Sequence, residues 1–530
     1  MSLLKHVGTI GSLTMLSRVA GMAREMIFAR VLGANAITDA WFQAFIIPNV
    51  FRRLFAEGAF SAAFVPMFSK RLRSAEDETS GLDEARSFSD DVLSVFLPVL
   101  IVLCAVMMLA MPWIIWALGD QARDPANFDM EVAFARIMFP YILLVSLVTL
   151  FTGMLNSVSR FAPGASFPII LNLVLIAALL IGDYAMDNWG WTTRQVGYGQ
   201  AWAVTIGGIV QLVWVYIWTR VEGFRPKLLW PRITPEVKRL SIIALPAAIG
   251  GGAYQINTLV QLYFLNQLDS GSISYMNYAD RLNQLPLGII GIALSTAILP
   301  TLSKFVGAKN KEGTDRVQSD AIELSMLLTI PAAVALVVCA VPFVTMIFQG
   351  GQFSLEQARL TGEVLAALVL GLPAYVLVKV LVPNFYARSD TRTPVYAAFI
   401  SLVIFVLANV LLVDGWGVVG VAAASAVGAW INVAYLYVVL VKRGYYAIPL
   451  ALVGRLARQL VAAAAMGAAL WFARDLLTGW YSAGVFARVG ALGALVACSA
   501  LVYFGVAFAI GAIDRQRIAS FTKKREPSQP

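Results

Sequence analysis

Histidine occurs once in this chain, at His6, and cysteine three times, at Cys104, Cys339 and Cys498, each alone within an apolar stretch. Those scarcities exclude a clustered Cys/His metal site and leave no histidine with which to build general acid–base catalysis. Charge is scarce as well: 13% of the 530 residues are charged, against 59% hydrophobic, with a mean hydropathy of +0.75. Water-soluble domains carry about 25% charged residues, so this composition excludes one and points to an all-α polytopic membrane protein.

What the chain does have is a succession of apolar segments long enough to cross ~30 Å of hydrocarbon. About fourteen are expected, over residues 8–32, 37–68, 92–118, 132–156, 165–182, 198–219, 241–266, 271–301, 320–348, 358–384, 393–413, 416–440, 452–473 and 486–511. Arg18 and Arg24 interrupt any signal-peptide core, so the first segment is expected to remain as a helix. Most of the 40 cations fall in loops after even-numbered segments or at the termini. Loops after odd-numbered segments hold only Arg123, Arg194, Arg359, Arg474 and Arg488. The asymmetry predicts both termini on the cytoplasmic side of the membrane. The net charge of +9 reflects this bias and does not call for nucleic acid.

Internal similarity suggests a repeat. Phe64-Val65-Pro66-Met67-Phe68-Ser69-Lys70 closes segment two, and Ile298-Leu299-Pro300-Thr301-Leu302-Ser303-Lys304 closes segment eight. Gly199, Ala201, Ala203, Gly207, Gln211 and Tyr216 of segment six match Gly420, Ala422, Ala424, Gly428, Asn432 and Tyr437 of segment twelve, and Pro140 matches Pro373. The expected organisation is two parallel six-helix lobes, 1–220 and 221–443, around a central cavity. Two extra helices follow in 444–511, a candidate lipid-tail groove, and then a basic cytoplasmic tail, 512–530.

Cations lie inside the apolar segments. Arg18 and Arg24 are in the first, Arg52 and Arg53 in the second, Arg281 in the eighth and Lys379 in the tenth. An arginine near the bilayer centre costs ~2.5 kcal/mol or more, so each should face a wet cavity or a partner. With the amino terminus inside, Arg18, Arg24, Arg52 and Arg281 fall at similar depths, within roughly two helical turns. Such a set suits a phosphate-bearing ligand, which the guanidinium fork recognises best. The alternative at each position is a buried ion pair that only joins helices; Arg18 and Glu25, seven residues apart, share a face. Asp39, Glu57 and Asp280 are candidate gating or charge partners. Gly21, Pro48, Pro286 and Gly288 are candidate bends, and Arg136 is expected to snorkel.

The same residues carry a family resemblance. Ser17-Arg18-Val19-Ala20-Gly21, Ala29-Arg30-Val31-Leu32-Gly33, Thr38-Asp39-Ala40, Pro48-Asn49-Val50-Phe51-Arg52-Arg53, Phe55-Ala56-Glu57-Gly58-Ala59-Phe60 and Tyr278-Ala279-Asp280-Arg281-Leu282 resemble the MurJ (MviN) lipid II flippases. These belong to the multidrug/oligosaccharidyl-lipid/polysaccharide exporter superfamily. The resemblance spans nearly the whole chain. It implies outward movement of undecaprenyl-diphosphate-linked disaccharide-pentapeptide for peptidoglycan synthesis, with Arg18, Arg24, Arg52, Arg281, Lys379 and Asn49 as cavity residues and Asp39 as an acid on the outward side. Ile46, Gln284 and Glu25 depart from residues common in relatives, and no acid lies in segment seven, so no sodium site is carried over.

Other readings are an exporter of another polyprenyl-linked saccharide, a multidrug/cation antiporter, and a membrane enzyme or scaffold of cell-wall assembly. An antiporter of cations would want acids where these arginines stand, and an enzyme would need convergent acids or a metal. No cofactor is expected. The expected partners are lipid II, membrane lipids and the cell-wall synthesis machinery, with transport driven by the membrane potential or a coupled ion.

Overall fold

A computed structural model describes residues 3–55, 59–74, 78–119, 125–481 and 483–512. The tail from 513 onward and Glu57 therefore lie outside the described residues. Among those described the chain is helical, with one isolated bridge, Gly350 to Phe353, and no strand. Among the described residues nine helical stretches are long and apolar enough to span a membrane, so the protein is a multi-pass membrane protein. The helices Leu3–Leu32 and Ala36–Phe55, interrupted by the arginines, are not among the nine, and length and composition alone do not reach fourteen.

Contacts divide the chain into two compact units. The first comprises residues 1–274 with 350–354. It holds α1 (Leu3–Leu32), α2 (Ala36–Phe55), α3 (Ala59–Ser74), α4 (Glu78–Ala117), α5 (Pro125–Met138), α6 (Tyr141–Ser157), α7 (Ala162–Trp189), α8 (Thr193–Val221) and α9 (Pro235–Leu265). α7 packs on α1 and α8, α6 on α8, and α2 on α5. A ladder of aromatic rings builds the core beside α3: Phe60 stacks on Phe64, Phe64 on Phe68 and Phe88, with centroids 5.4 to 5.6 Å apart. The division falls after Ser274 and not at the 220/221 boundary expected from the repeat, because α9 packs against α2, α3 and α4.

The second unit holds α10 (Ser272–Gly307, from Tyr275 onward), α11 (Lys311–Val338), α12 (Ala340–Phe348), α13 (Leu355–Val369), α14 (Leu372–Tyr386), α15 (Arg392–Lys442), α16 (Leu450–Leu476), α17 (Thr478–Tyr481) and α18 (Val485–Ala509). Here α16 packs on α11 and α18, and α15 on α13 and α14. α15 is a hairpin of two spans. Gly417 at φ 53°, ψ −133° folds it back, a conformation open in practice only to glycine. Ser401 Oγ then reaches the Gly428 carbonyl at 2.7 Å. Outside the spans, Asp390 clips the two ends of this hairpin through Thr393 and Arg443. Burial pushes its carboxyl up, but those hydrogen bonds and the guanidinium outweigh it and hold the pKa at about 2.

Three expected segments are broken helices. Pro140, which has no N–H to donate, parts α5 from α6; Cys339 parts α11 from α12; and Gly371 with Pro373 parts α13 from α14. α1 runs unbroken through Gly21, α2 through Pro48, and α10 through Pro286 and Gly288.

The turn at 350–354 is grouped with the first unit because it closes on the end of α1. Gln352 N–H donates to the Arg30 carbonyl at 2.7 Å, and Phe353 is buried. Gly351 has φ +53°, and a Cβ there would strike the Arg30 carbonyl oxygen. Gly351→Ala is expected to destabilise the protein by about 1–3 kcal/mol. Gly415→Ala, where nothing crowds the added methyl, should be neutral. Thermal unfolding of the purified protein compares them; equal midpoints for both variants and the wild type would contradict the contact.

Candidate functional site

In the first unit the sequence-predicted residues sort into three local arrangements. The first is on α1. Arg24 and Glu25 are both buried and form an ion pair through Arg24 Nη2 and Glu25 Oε1. The expectation that Glu25 pairs with Arg18 is therefore corrected: the neighbouring guanidinium takes the carboxylate. Arg18, one and a half turns earlier, is half-buried and has no hydrogen bond or ion pair to a described residue. Gly21, between them, faces Asn172 of α7, whose Nδ2 donates to the Ser17 carbonyl at 3.4 Å.

The second arrangement follows from Pro48. A proline inside a helix withdraws one backbone donor and loosens the turn before it. Asn49 Nδ2 donates to the Phe45 carbonyl at 2.9 Å, and Asn49 Oδ1 accepts from Arg52 Nε at 3.0 Å. One carboxamide thus braces the turn beside the proline and aims the arginine three residues on. Arg52 is half-buried. Asn49 acts as a positioning residue for it, and Asn49→Leu is expected to impair function by roughly tenfold, the worth of one lost hydrogen bond to a charged group. Growth complementation at graded expression checks this; wild-type growth at the lowest level would show that Arg52 needs no such support.

The third arrangement surrounds Asp39, which is fully buried. Its Oδ2 accepts from Gly271 N–H at 2.6 Å, and its Oδ1 from Ser274 N–H at 2.8 Å and Ser274 Oγ at 2.7 Å. Thr38 Oγ1 lies 2.8 Å from the same Ser274 hydroxyl. The carboxylate thereby caps the first turn of α10, where free N–H groups and the helix dipole favour an anion. Sequence reasoning singled out Asp39 but not its partners, which lie more than 230 positions away.

In the second unit Arg281 is exposed on α10 and Lys379 half-buried on α14. Asp280 accepts from the Gln284 amide one turn on, so Gln284 serves as a donor to this acid. Arg136, back in the first unit, is exposed and donates to the Met108 carbonyl at 3.0 Å.

Apolar helices in this number, with guanidinium and carboxamide groups set among them, define a polytopic membrane transporter. The fold agrees. It is similar to a solved lipid II flippase MurJ in an inward closed conformation, with a TM-score of 0.75 and 23% identity, covering 94% of this chain and 98% of that one. It is also similar to an inward-facing multidrug resistance MATE family transporter of the MOP superfamily, with a TM-score of 0.65 and 13% identity, covering 82% and 97%. The family model described as lipid II flippase MurJ matches residues 28–492. The probable lipid II flippase MurJ of Rhizobium meliloti (strain 1021) is 42% identical over 99% of this chain and 97% of its own length. This chain belongs to the lipid II flippase MurJ family, a family of transporters and not of enzymes.

Proposed function

We propose that the protein flips lipid II, the undecaprenyl-diphosphate-linked peptidoglycan precursor, from the cytoplasmic to the outer leaflet of a bacterial inner membrane. The observation that carries this reading is the end-to-end likeness to the Rhizobium meliloti relative, which includes the arginine-bearing amino-terminal helices. Within it, Arg18, Arg24, Arg52, Arg281 and Lys379 attract and hold the diphosphate and headgroup, and Asn49 orients Arg52. The six-helix lobes expected from the repeat alternate in exposing these residues to the two sides, and both termini are cytoplasmic. Gly21, Pro48, Pro286 and Gly288 supply the bending this requires. The 444–511 helices take the polyprenyl tail, which need not leave lipid. Asp39 secures the outward end through the first turn of α10. No cofactor is required, and the membrane potential or a coupled ion supplies the driving force.

The test is depletion in cells with an assay of lipid II exposed on the outer leaflet. Depletion is expected to leave lipid II inaccessible from outside while total lipid II rises. Undiminished outside exposure after depletion would overturn the proposal.

A further inference from the structure

The connection from α8 to α9, residues 222–234, is held to α4 along its backbone. Arg86 Nη2 donates to the Gly223 carbonyl at 2.8 Å, Lys227 N–H to Asp90 Oδ1 at 2.8 Å, and Leu229 N–H to Ser94 Oγ at 2.8 Å. Phe224 is fully buried, edge-on to Phe68 at 5.5 Å. Asp90 and Ser94 flank the point where α4 changes from polar sequence to an apolar run that is continuous from Val95 onward. The connection is therefore fixed at the depth where α4 enters the hydrocarbon.

With the backbone turned inward, large apolar side chains are left outside. Trp230 is 86% exposed, Ile233 77% and Leu228 64%. Around them Arg225, Lys227, Arg232, Lys238 and Arg239 are all exposed. The one acid between 225 and 239 is Glu236, which lies 3.6 Å from Arg71. Apolar side chains among an excess of cations at the boundary of the hydrocarbon match one surface in chemistry and in depth: phospholipid with anionic headgroups.

We propose that residues 225–239 form a binding site for anionic phospholipid. Trp230, Ile233 and Leu228 enter the acyl region just beneath the headgroups, and Arg225, Lys227 and Arg232 hold the headgroup phosphate. Long cationic side chains can lie along the apolar surface and keep their charge at the phosphate plane, so both kinds of contact are made at once. The site is separate from the arginines of α1 and α2 and does not depend on what the protein transports.

Native mass spectrometry of the full-length protein with equal phosphatidylglycerol and phosphatidylcholine tests this. The wild type is expected to retain phosphatidylglycerol preferentially. R225Q/K227Q/R232Q, which keeps the Lys227 backbone donor, should cut that preference by about fivefold or more, as the loss of even one surface cation would. W230A/I233A should lower retention of both lipids together. Thermal unfolding of each variant at the wild-type midpoint shows that the fold is kept. Should the triple variant unfold, raising the salt on the wild type gives the same reading, and the preference should fall. Unchanged preference in the triple variant or at high salt would overturn the proposal and leave the patch to a protein partner. Displacement of phosphatidylglycerol by millimolar inorganic phosphate would overturn it in favour of a free-phosphate site.

Discussion

Arg24→Ala is expected to abolish complementation in cells depleted of their own flippase and, unlike the same change at Arg52, to reduce the amount of folded protein. Arg24 and Glu25 are buried together, and breaking a buried ion pair by removing one member costs about 3–5 kcal/mol. The double variant Arg24→Ala/Glu25→Ala removes both charges and should recover abundance without recovering transport. Arg52→Ala breaks a hydrogen bond between a half-buried guanidinium and the neutral Asn49, a smaller loss than that of a buried ion pair. Its abundance should stay near wild type while complementation fails. Lysine at either site should restore part of the activity, since it keeps the charge and loses the bidentate fork. A double variant that transports normally would show that the Arg24–Glu25 pair serves packing alone.

Asp39→Ala should produce a loss of stability comparable with that of Arg24→Ala. It removes the acceptor of three hydrogen bonds in a fully buried site and uncaps α10. Each stranded donor costs about 1–3 kcal/mol, so a loss of roughly 3 kcal/mol or more is expected. Asp39→Asn keeps one carbonyl oxygen and should fall between the two. Ser274→Ala removes one donor along with its bond and should be milder. The apparent unfolding midpoint of the purified protein orders the four proteins. A midpoint for Asp39→Ala within a degree or so of wild type would show that the cap contributes little.

Much of this molecule was legible in its sequence, and the limits have physical causes. Composition and segment length were enough for a multi-pass helical protein, because a bilayer admits few other solutions. The breaks at Cys339 and Gly371 did not register, since hydropathy averages over a window and is blind to one interrupted turn. The fold-back within 393–440 did register, through Asp414-Gly415-Trp416-Gly417 between two apolar runs. At the site, the arginines stood out because each is costly in apolar surroundings, but partners were harder. Arg18 and Glu25 share an ideal helix face, yet Glu25 turned to the adjacent Arg24, a choice made by long, flexible side chains and not by helical phase. The Asn49–Arg52 bond lies at the i, i+3 spacing and could have been read locally. Asp39 bonds to backbone amides of a distant turn, and no pattern of side chains advertises a backbone donor. The gap between the segments 320–348 and 358–384 was legible as a loop; what its Gly351 meets, the Arg30 carbonyl, was not.

The hairpin of α15 has a mechanical consequence. A loop of many residues lets two spans part or slide, but here the joint is a single glycine in a conformation other residues resist, and Ser401 ties the spans again lower down. The two spans therefore behave as one lever arm. Spin labels placed on either limb should report one narrow distance whatever stage of the cycle the protein occupies, which makes the limb pair a built-in ruler against which the displacement of other helices can be gauged.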